Sequence, residues 1–303
     1  MVPVRTATSR SAILAIDKPA GMTSFDAVRV VRRVFDERRV GHAGTLDPTA
    51  TGLLPICIGQ ATRLVDYFHQ QSKTYRCVVR FGERSDTLDT EGEVVSGGDA
   101  SALTEVDVRA AAAAFVGDIE QVPPMHSAVR HQGEHLYELA RRGQEVERKA
   151  RPVRIESVEL TAFRPGVRAE AEIEVVSGKG AYMRVLAADI GEALGTGALL
   201  AWLSRTVYGG LRLEDAVTPD GLAESDDPGS ALLPPERAVS FLPRVDLAPQ
   251  QATMIGRGQS VWLPRMPQLT AGNQVRVHSA DGRLIAIGEI AGNLLRPTKV
   301  LNS

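Results

Sequence analysis

Asp47 lies in the run Gly41-His42-Ala43-Gly44-Thr45-Leu46-Asp47-Pro48-Thr49-Ala50-Thr51-Gly52, whose composition suits a reactive carboxylate. The glycines admit backbone conformations that other residues resist. Pro48 fixes its own φ and pushes the preceding residue out of the helical region, so the Asp47 backbone is held extended. A carboxylate on a stiff, glycine-flanked loop is placed to act as a nucleophile, although the same residues also describe a plain Asp-Pro turn. A second candidate is His131-Gln132-Gly133-Glu134-His135, which fits H-x-x-E-H. On a helix the two histidines would share a face and could bind zinc, with Glu134 as base. Gly133 weakens any helix there and no third ligand follows, so we expect solvated or ligand-facing side chains and assign no metal. Gly178-Lys179-Gly180 is too short for a phosphate loop of the GxxxxGK[ST] type.

Composition bounds the class of protein. At 303 residues there is room for two domains, and 43% hydrophobic with 24% charged residues reads as globular. No stretch approaches the ~20 apolar residues of a membrane span, and the first twelve residues carry no secretion signal. Cys57 and Cys77 lack the spacing of a zinc site, so a reduced, cytoplasmic protein with two incidental thiols is expected. The net charge of −2 hides local polarity. Residues 1–42 hold eight Arg/Lys against four Asp/Glu, and residues 125–154 hold seven against four with three histidines. Residues 214–240 hold seven acids against Arg237 alone. Local basic surface is what meets phosphates.

The Asp47 run resembles the catalytic motif of the tRNA pseudouridine-55 synthases, the TruB family, which also includes the eukaryotic dyskerin-type enzymes. That family usually has Thr or Lys at Ala43 and a varied residue at Thr49; neither departure touches the aspartate. Further stretches resemble the family in order. In DKPAGMTSFD, Lys18 and Pro19 would brace the active-site loop; taken alone, Lys18 could be a plain surface lysine. In Gly59-Gln60-Ala61-Thr62-Arg63, Arg63 would face the RNA backbone. In Lys73-Thr74-Tyr75-Arg76, Tyr75 would stack on the target uracil, whereas by pattern alone a strand tyrosine is a core aromatic. The acidic stretch 83–95 also fits. In Ala181-Tyr182-Met183-Arg184, Arg184 would pair with the catalytic aspartate and Tyr182 would lie in the pocket. In Leu203-Ser204-Arg205-Thr206, Leu203 would form an apolar wall beside the base. Residues 123–152 resemble the RNA-gripping thumb of the bacterial tRNA-specific members, with His126 where many have tyrosine. The last sixty residues resemble a PUA domain.

The resemblance implies isomerisation of uridine to pseudouridine at position 55 in the T-loop of tRNA. The target base would be flipped out of its stack and attacked by Asp47, with Arg184 as counter-charge and Tyr75 as stacking partner. His42 could occupy the vacated space. The product is an isomer, so no cofactor is expected. tRNA is the expected partner, with no membrane, no obligate protein partner and a monomeric chain. The alternative is a non-catalytic RNA-binding or tRNA-folding protein on the same scaffold.

These residues must be held by an α+β framework, which the resemblance makes a pseudouridine-synthase fold. It has a mixed, mainly antiparallel central sheet flanked by helices and a small C-terminal PUA-like β barrel. We expect a catalytic domain over 10–240, with the thumb at about 123–152, and an RNA-binding domain over 243–303. Residues 12–16 and 53–59 read as buried strands. Thr23 or Ser24 caps a helix to about Phe35 with Phe25, Val28, Val31 and Val34 inward. Residues 60–68 read as helical and 73–81 as a strand. Thr104 and Asp107 cap a helix over 104–116. Strands follow at 118–122, 153–163 and 167–177, the last with Val167, Ala169, Ala171, Ile173 and Val175 on one face. A helix then runs to Ala193, with another strand between Gly195 and Gly210. QVRVHS and LIAIGEI around Asp281-Gly282 form a hairpin.

Overall fold

The computed structural model describes residues 11–127, 129–264 and 269–301. Residues 1–10, most of the stretch read for a secretion signal and the first position of the expected catalytic domain, lie outside the described residues, as do 265–268 and the last two positions of the expected C-terminal domain.

The chain opens with β1 (Ala12–Lys18), α1 (Ser24–Phe35), β2 (Val40–His42) and β3 (Thr51–Ile58). After a 3-10 turn (Gly59–Leu64) come α2 (Val65–Phe68), β4 (Lys73–Phe81), β5 (Glu83–Ser85) and β6 (Val94–Ser96). Next are α3 (Glu105–Ala113), β7 (Gly117–Gln121), β8 (Arg130–His131), β9 (Glu134–His135), α4 (Leu136–Arg141), β10 (Arg151–Arg164) and β11 (Glu170–Ser177). Then follow α5 (Met183–Ala193), β12 (Ala198–Tyr208), β13 (Leu211–Arg212) and α6 (Pro219–Glu224). The C-terminal part holds β14 (Arg244–Asp246), α7 (Pro249–Gly256), β15 (Val261–Trp262), β16 (Gln274–His278), β17 (Leu284–Ala291) and β18 (Leu294–Val300).

Among the described residues the main sheet has nine strands in the path β1-β3-β12-β4-β11-β10-β7, with β2 on β3 and β13 on β12. Only β3 and β12 run parallel, at Ser204↔Thr51 and Arg205↔Gly52; the other pairs are antiparallel. The mixed, mainly antiparallel sheet expected from the sequence is therefore present. β3 is buried along nearly its whole length, which is why its sequence is apolar without alternation. The C-terminal residues form a five-stranded PUA-like half-barrel in the order β14-β16-β17-β18-β15.

Local sequence accounts for the helix starts. Thr23 caps α1 and Asp26 returns the bond to the Thr23 backbone, a reciprocal capping box; Thr104 and Asp107 do the same for α3. The inward face of α1 is corrected. Ala27, Val28, Val31 and Phe35 are buried, whereas Phe25 is 49% exposed beneath the guanidinium groups of Arg29 and Arg32. Residues 59–64 form a 3-10 turn in place of the first part of the expected helix. β11 begins at Glu170, so Val167 lies outside it and is exposed, while Ala171, Ile173 and Val175 face the core.

The H-x-x-E-H segment is not helical. His131 and Glu134 pair across a two-residue turn at Gln132 and Gly133, both with positive φ (50° and 94°). Such a turn is the tight hairpin connection that favours glycine, and it removes the helical face a zinc site of that pattern needs.

Three apolar clusters fix the main sheet. One packs α3 and α5 on β4, β10, β11 and β12. A second packs α1 on β1 and β3. The third, on the opposite side, joins Leu53, Phe68 and Tyr208 to Leu284, Ile287 and Leu301 of the C-terminal sheet. Lys299 of β18 reinforces this junction by donating to the Arg63 carbonyl (2.8 Å) and to Asp66 (2.9 Å).

Candidate active site

The loop between β2 and β3 is clamped from beneath before any substrate is considered. Lys18 is fully buried, and its ammonium donates to the carbonyls of Pro19 (2.8 Å), Met22 (2.7 Å) and Pro48 (3.2 Å). Ser24 Oγ donates to the Leu46 carbonyl (3.0 Å) and accepts from its N–H (2.9 Å). Arg205, 1% exposed, donates to the carbonyls of Leu53 (2.8 Å) and Gly44 (3.1 Å). Gly44 and Gly52 have φ of +87° and +95°, which a side chain at either position would resist. A Cβ at Gly52 would lie 2.5 Å from the Arg205 carbonyl oxygen.

Arg184 approaches the loop from the first turn of α5. Nη2 lies 3.0 Å from Asp47 Oδ2 and Nη1 lies 3.4 Å from Asp89 Oδ2. The same guanidinium donates to the Thr87 carbonyl (3.2 Å) and the His126 carbonyl (2.8 Å). Four acceptors therefore hold one planar fork, a geometry that lysine cannot supply. Asp89 is oriented in turn: Oδ1 accepts from Thr87 Oγ1 (2.6 Å) and from the Glu91 N–H (3.0 Å). It follows Leu88, whose φ of 64° is a strained value for a branched side chain.

Asp47 Oδ1 makes no hydrogen bond among the described residues, and 42% of the Asp47 side-chain surface stays open. Its pKa is nevertheless raised, first by burial of the carboxyl and further by Asp89, against the pull of Arg184, Lys18 and His126. One guanidinium serving two carboxylates leaves the trio net negative, so Arg184 only partly offsets the cost of burial.

Asp47 and Arg184 open on a cleft of about 330 Å³ whose walls include Tyr75, Ser127, Tyr182, Leu203, Arg205 and Tyr208. Tyr75, 8% exposed, comes from β4, opposite Arg205 of β12. Tyr182 immediately precedes α5. Its N–H donates to Gln121 Oε1 (2.9 Å), and Gln121 Nε2 donates to its carbonyl (3.3 Å). Lys73 also lines the cleft; burial, then Arg205 and Lys179, lower its pKa to about 8.

The structure thus brings Asp47, Arg184, Tyr75, Tyr182 and Leu203 together. Lys18 lies under the loop, where full burial makes it a brace and keeps it from contact with a macromolecule. His42 is half-buried beside the cleft; burial, then Arg205 and His69, lower its pKa, which favours the neutral ring. Arg63 is exposed and outside the cleft walls, next to the junction with the C-terminal sheet. From sequence, Ser24 was named only as a possible helix cap and Arg205 only as a member of its motif, and Asp89 was not singled out. Asp89 was within the acidic run 83–95, but nothing in that run distinguished it from Asp86 or Glu91.

One oxygen of the Asp47 carboxylate thus opens on the cleft while the other is held by a guanidinium. Solved structures share the fold that carries this cleft. An H/ACA RNP bound to a substrate RNA containing 2′-deoxyuridine superposes with a TM-score of 0.76 at 21% identity, covering 100% of this chain and 88% of that one. The archaeal box H/ACA sRNP Nop10–Cbf5 complex gives a TM-score of 0.73 at 23% identity, covering 99% and 89%. Residues 32–183 match the model of the TruB family pseudouridylate synthase N-terminal domain, and residues 243–301 match that of the pseudouridine synthase II TruB C-terminal region. The tRNA pseudouridine synthase B of Saccharophagus degradans is 42% identical over 287 residues, 92% of each chain. That of Burkholderia mallei is 42% identical over 294 residues (95% of this chain, 96% of the other). That of Ralstonia nicotianae is 43% identical over 297 residues (96% and 94%). The chain belongs to the TruB family of pseudouridylate synthases.

Proposed function

We propose that this chain isomerises uridine to pseudouridine at position 55 in the T-loop of tRNA. The reaction breaks the N1–C1′ bond, turns the uracil, and rejoins C1′ to C5. In this reading Asp47 is the nucleophile, and its unengaged Oδ1 faces the substrate. Arg184 keeps Oδ2 in place and favours the ionised form. Tyr75 stacks on the uracil once it has left the T-loop, returning about 1–3 kcal/mol of the cost of extrusion. Tyr182 and Leu203 close the sides of the base, and His42 fills the space it vacates. The basic face of residues 125–154 grips phosphates, which fixes register without reading sequence. The domain reading is a catalytic part over 10–240 and an RNA-binding part over 243–303.

The observation that carries this reading is the carboxylate–guanidinium pair at 3.0 Å opening on a base-sized cleft, in a chain 42% identical to enzymes named for tRNA. We further read the protein as a cytoplasmic monomer that acts without a protein partner. No helix among the described residues is long and apolar enough to cross a membrane. The decisive experiment supplies purified protein with tRNA carrying 5-³H-uridine. Tritium release together with a pseudouridine mapped to position 55 is expected. Binding of tRNA without release would make the chain a tRNA-binding or tRNA-folding protein instead.

A further inference from the structure

Among the described residues two lysines are buried, and their bonding differs. Lys18, the brace of the loop, spends its ammonium on three carbonyls. Lys73, 7% exposed, donates to one, that of Gln71, at 2.7 Å. Its ammonium also lies 4.7 Å from the centre of the Tyr208 ring, a cation–π contact. The acid that acts on it, Glu156, is exposed and accepts from the Ser72 hydroxyl. A lysine is rarely buried without a partner, because taking a charge out of water is costly unless it is paired and hydrogen-bonded. Lys73 therefore stands in the cleft wall with donors to spare and no ion pair among the described residues.

Its surroundings add positive charge. His69, Lys179 and Arg205 line the same cleft, while Asp47, the one carboxylate among these described walls, is held by Arg184. Burial, then Lys73 and Lys179, lower the His69 pKa, so these three groups converge. The sheet register explains the convergence. Ser177 of β11 pairs with Lys73, which brings Lys179, two residues on, to the same end of β4. Tyr208 of β12 pairs with Lys73 from the other side, and its hydroxyl is buried without a hydrogen bond among the described residues. Lys73 and Tyr75 are two residues apart and both line the cleft, so they share one face of β4, about 6.6 Å apart along the strand. That is the scale of one nucleotide, so a base stacked on Tyr75 brings its own backbone towards Lys73. An anion is what the cluster lacks, and phosphate is the anion that backbone carries.

We propose that Lys73 and Lys179, with His69 beside them, form a phosphate subsite that holds one phosphodiester next to the target uridine. The inference rests on the RNA-modifying reading above and deepens it. The basic face of residues 125–154 meets phosphates from outside, whereas this subsite meets one inside the cleft. It anchors the flipped nucleotide by its backbone at one end of β4 while Tyr75 holds the base. Such a contact fixes position without reading sequence. The subsite touches the backbone and not the reacting atoms, so its loss should weaken binding rather than chemistry.

The test removes the anion from the RNA and the cation from the protein, singly and together. A T-stem-loop RNA is made with one uncharged methylphosphonate linkage, placed 5′ or 3′ of the target uridine. Affinity is measured by filter retention in an Asp47→Asn background, which needs no turnover. Lys73→Met should weaken binding of the all-phosphate RNA about 10- to 100-fold, the worth of a charge-assisted hydrogen bond. It should also make the slope of log Kd against log salt shallower by about 1. Lys179→Ala, at an exposed position, should cost about 2- to 5-fold. On one of the two methylphosphonate RNAs both lysine penalties should vanish. Lys179→Ala removes an exposed side chain, so it carries the same cycle should Lys73→Met fail to fold. Full penalties on both methylphosphonate RNAs, or undiminished affinity of a folded Lys73→Met chain for the all-phosphate RNA, overturn the inference. If the wild-type chain binds RNA but forms no pseudouridine, the functional reading fails instead, and the binding cycle still decides the subsite.

Discussion

Arg184 Nη2 stands 3.0 Å from Asp47 Oδ2 while Nη1 of the same guanidinium stands 3.4 Å from Asp89 Oδ2. The nucleophile candidate and a second, 8%-exposed carboxylate thus compete for one cation. Asp47 keeps one oxygen for chemistry, and its proton affinity is set by the balance of burial, Arg184 and Asp89. Turnover and its pH dependence both hang on that sharing.

Asp47→Asn keeps the shape of the side chain and removes its charge. Tritium release from 5-³H-uridine tRNA should fall to background while tRNA binding, measured by filter retention, stays within a few-fold of wild type. Turnover near wild type would remove Asp47 as the nucleophile.

Asp89→Asn should lower kcat by about 10- to 100-fold, the range expected when a charge-assisted hydrogen bond worth ~1.5–3 kcal/mol is removed from the partner that positions the nucleophile. KM should change little. Asp89 raises the Asp47 pKa, so the acid limb of the rate profile should also move to lower pH. Single-turnover rates across pH report both effects, and a pure loss of stability would leave the limb where it is.

The pH dependence follows from two shifted groups. Asp47 is held above the ordinary carboxylate range, mainly by burial. Its folded pKa exceeds the unfolded one, so the folded state binds the proton more tightly and stability falls as pH rises through that window. The ionised form is the nucleophile, so kcat/KM rises through the same window. Lys18 is lowered from 10.5 to about 8, first by burial. Above pH 8 the folded state sheds this proton before the unfolded chain does, so its contribution to stability rises up to about 10.5. Activity should fall there, because the neutral amine brings one donor fewer to the three carbonyls that brace the loop. Profiles of kcat/KM and of urea midpoint against pH should therefore run in opposite directions at both ends. Asp47→Asn should flatten the acid-side stability slope.

Gly52→Ala should cost about 2–4 kcal/mol, because the new methyl meets the Arg205 backbone and φ is positive. A fall in Tm of about 3–6 °C by calorimetry is expected. A Tm unchanged within error would show that the β3–β12 contact at the loop's exit is more pliant than its geometry implies.

Removing residues 129–147 takes away β8, β9 and α4 but leaves the His126 carbonyl that Arg184 uses. tRNA affinity should fall, and the slope of log Kd against log salt should become shallower by about 1 for each phosphate that is no longer neutralised. An unchanged slope would separate the three arginines of this segment from RNA binding.

How much was legible in the residues depended on the range of the interaction. Capping boxes at Thr23 and Thr104, the two-sided burial of β3 and the 281–282 turn are set by neighbours a few positions apart, so local pattern revealed them. The extended, glycine-flanked backbone around Asp47 was legible for the same reason, and family resemblance paired it with Arg184 and Tyr75. Periodicity misplaced Phe25 because an apolar face on a helix does not say which of its edges the sheet will cover. The resemblance made Lys18 a brace of the loop; only the folded chain determined that Arg205 too spends its donors on loop carbonyls. It alone brought Asp89 to share the guanidinium. Each of these rests on contacts between distant segments, and burial and charge balance exist only once those segments are packed.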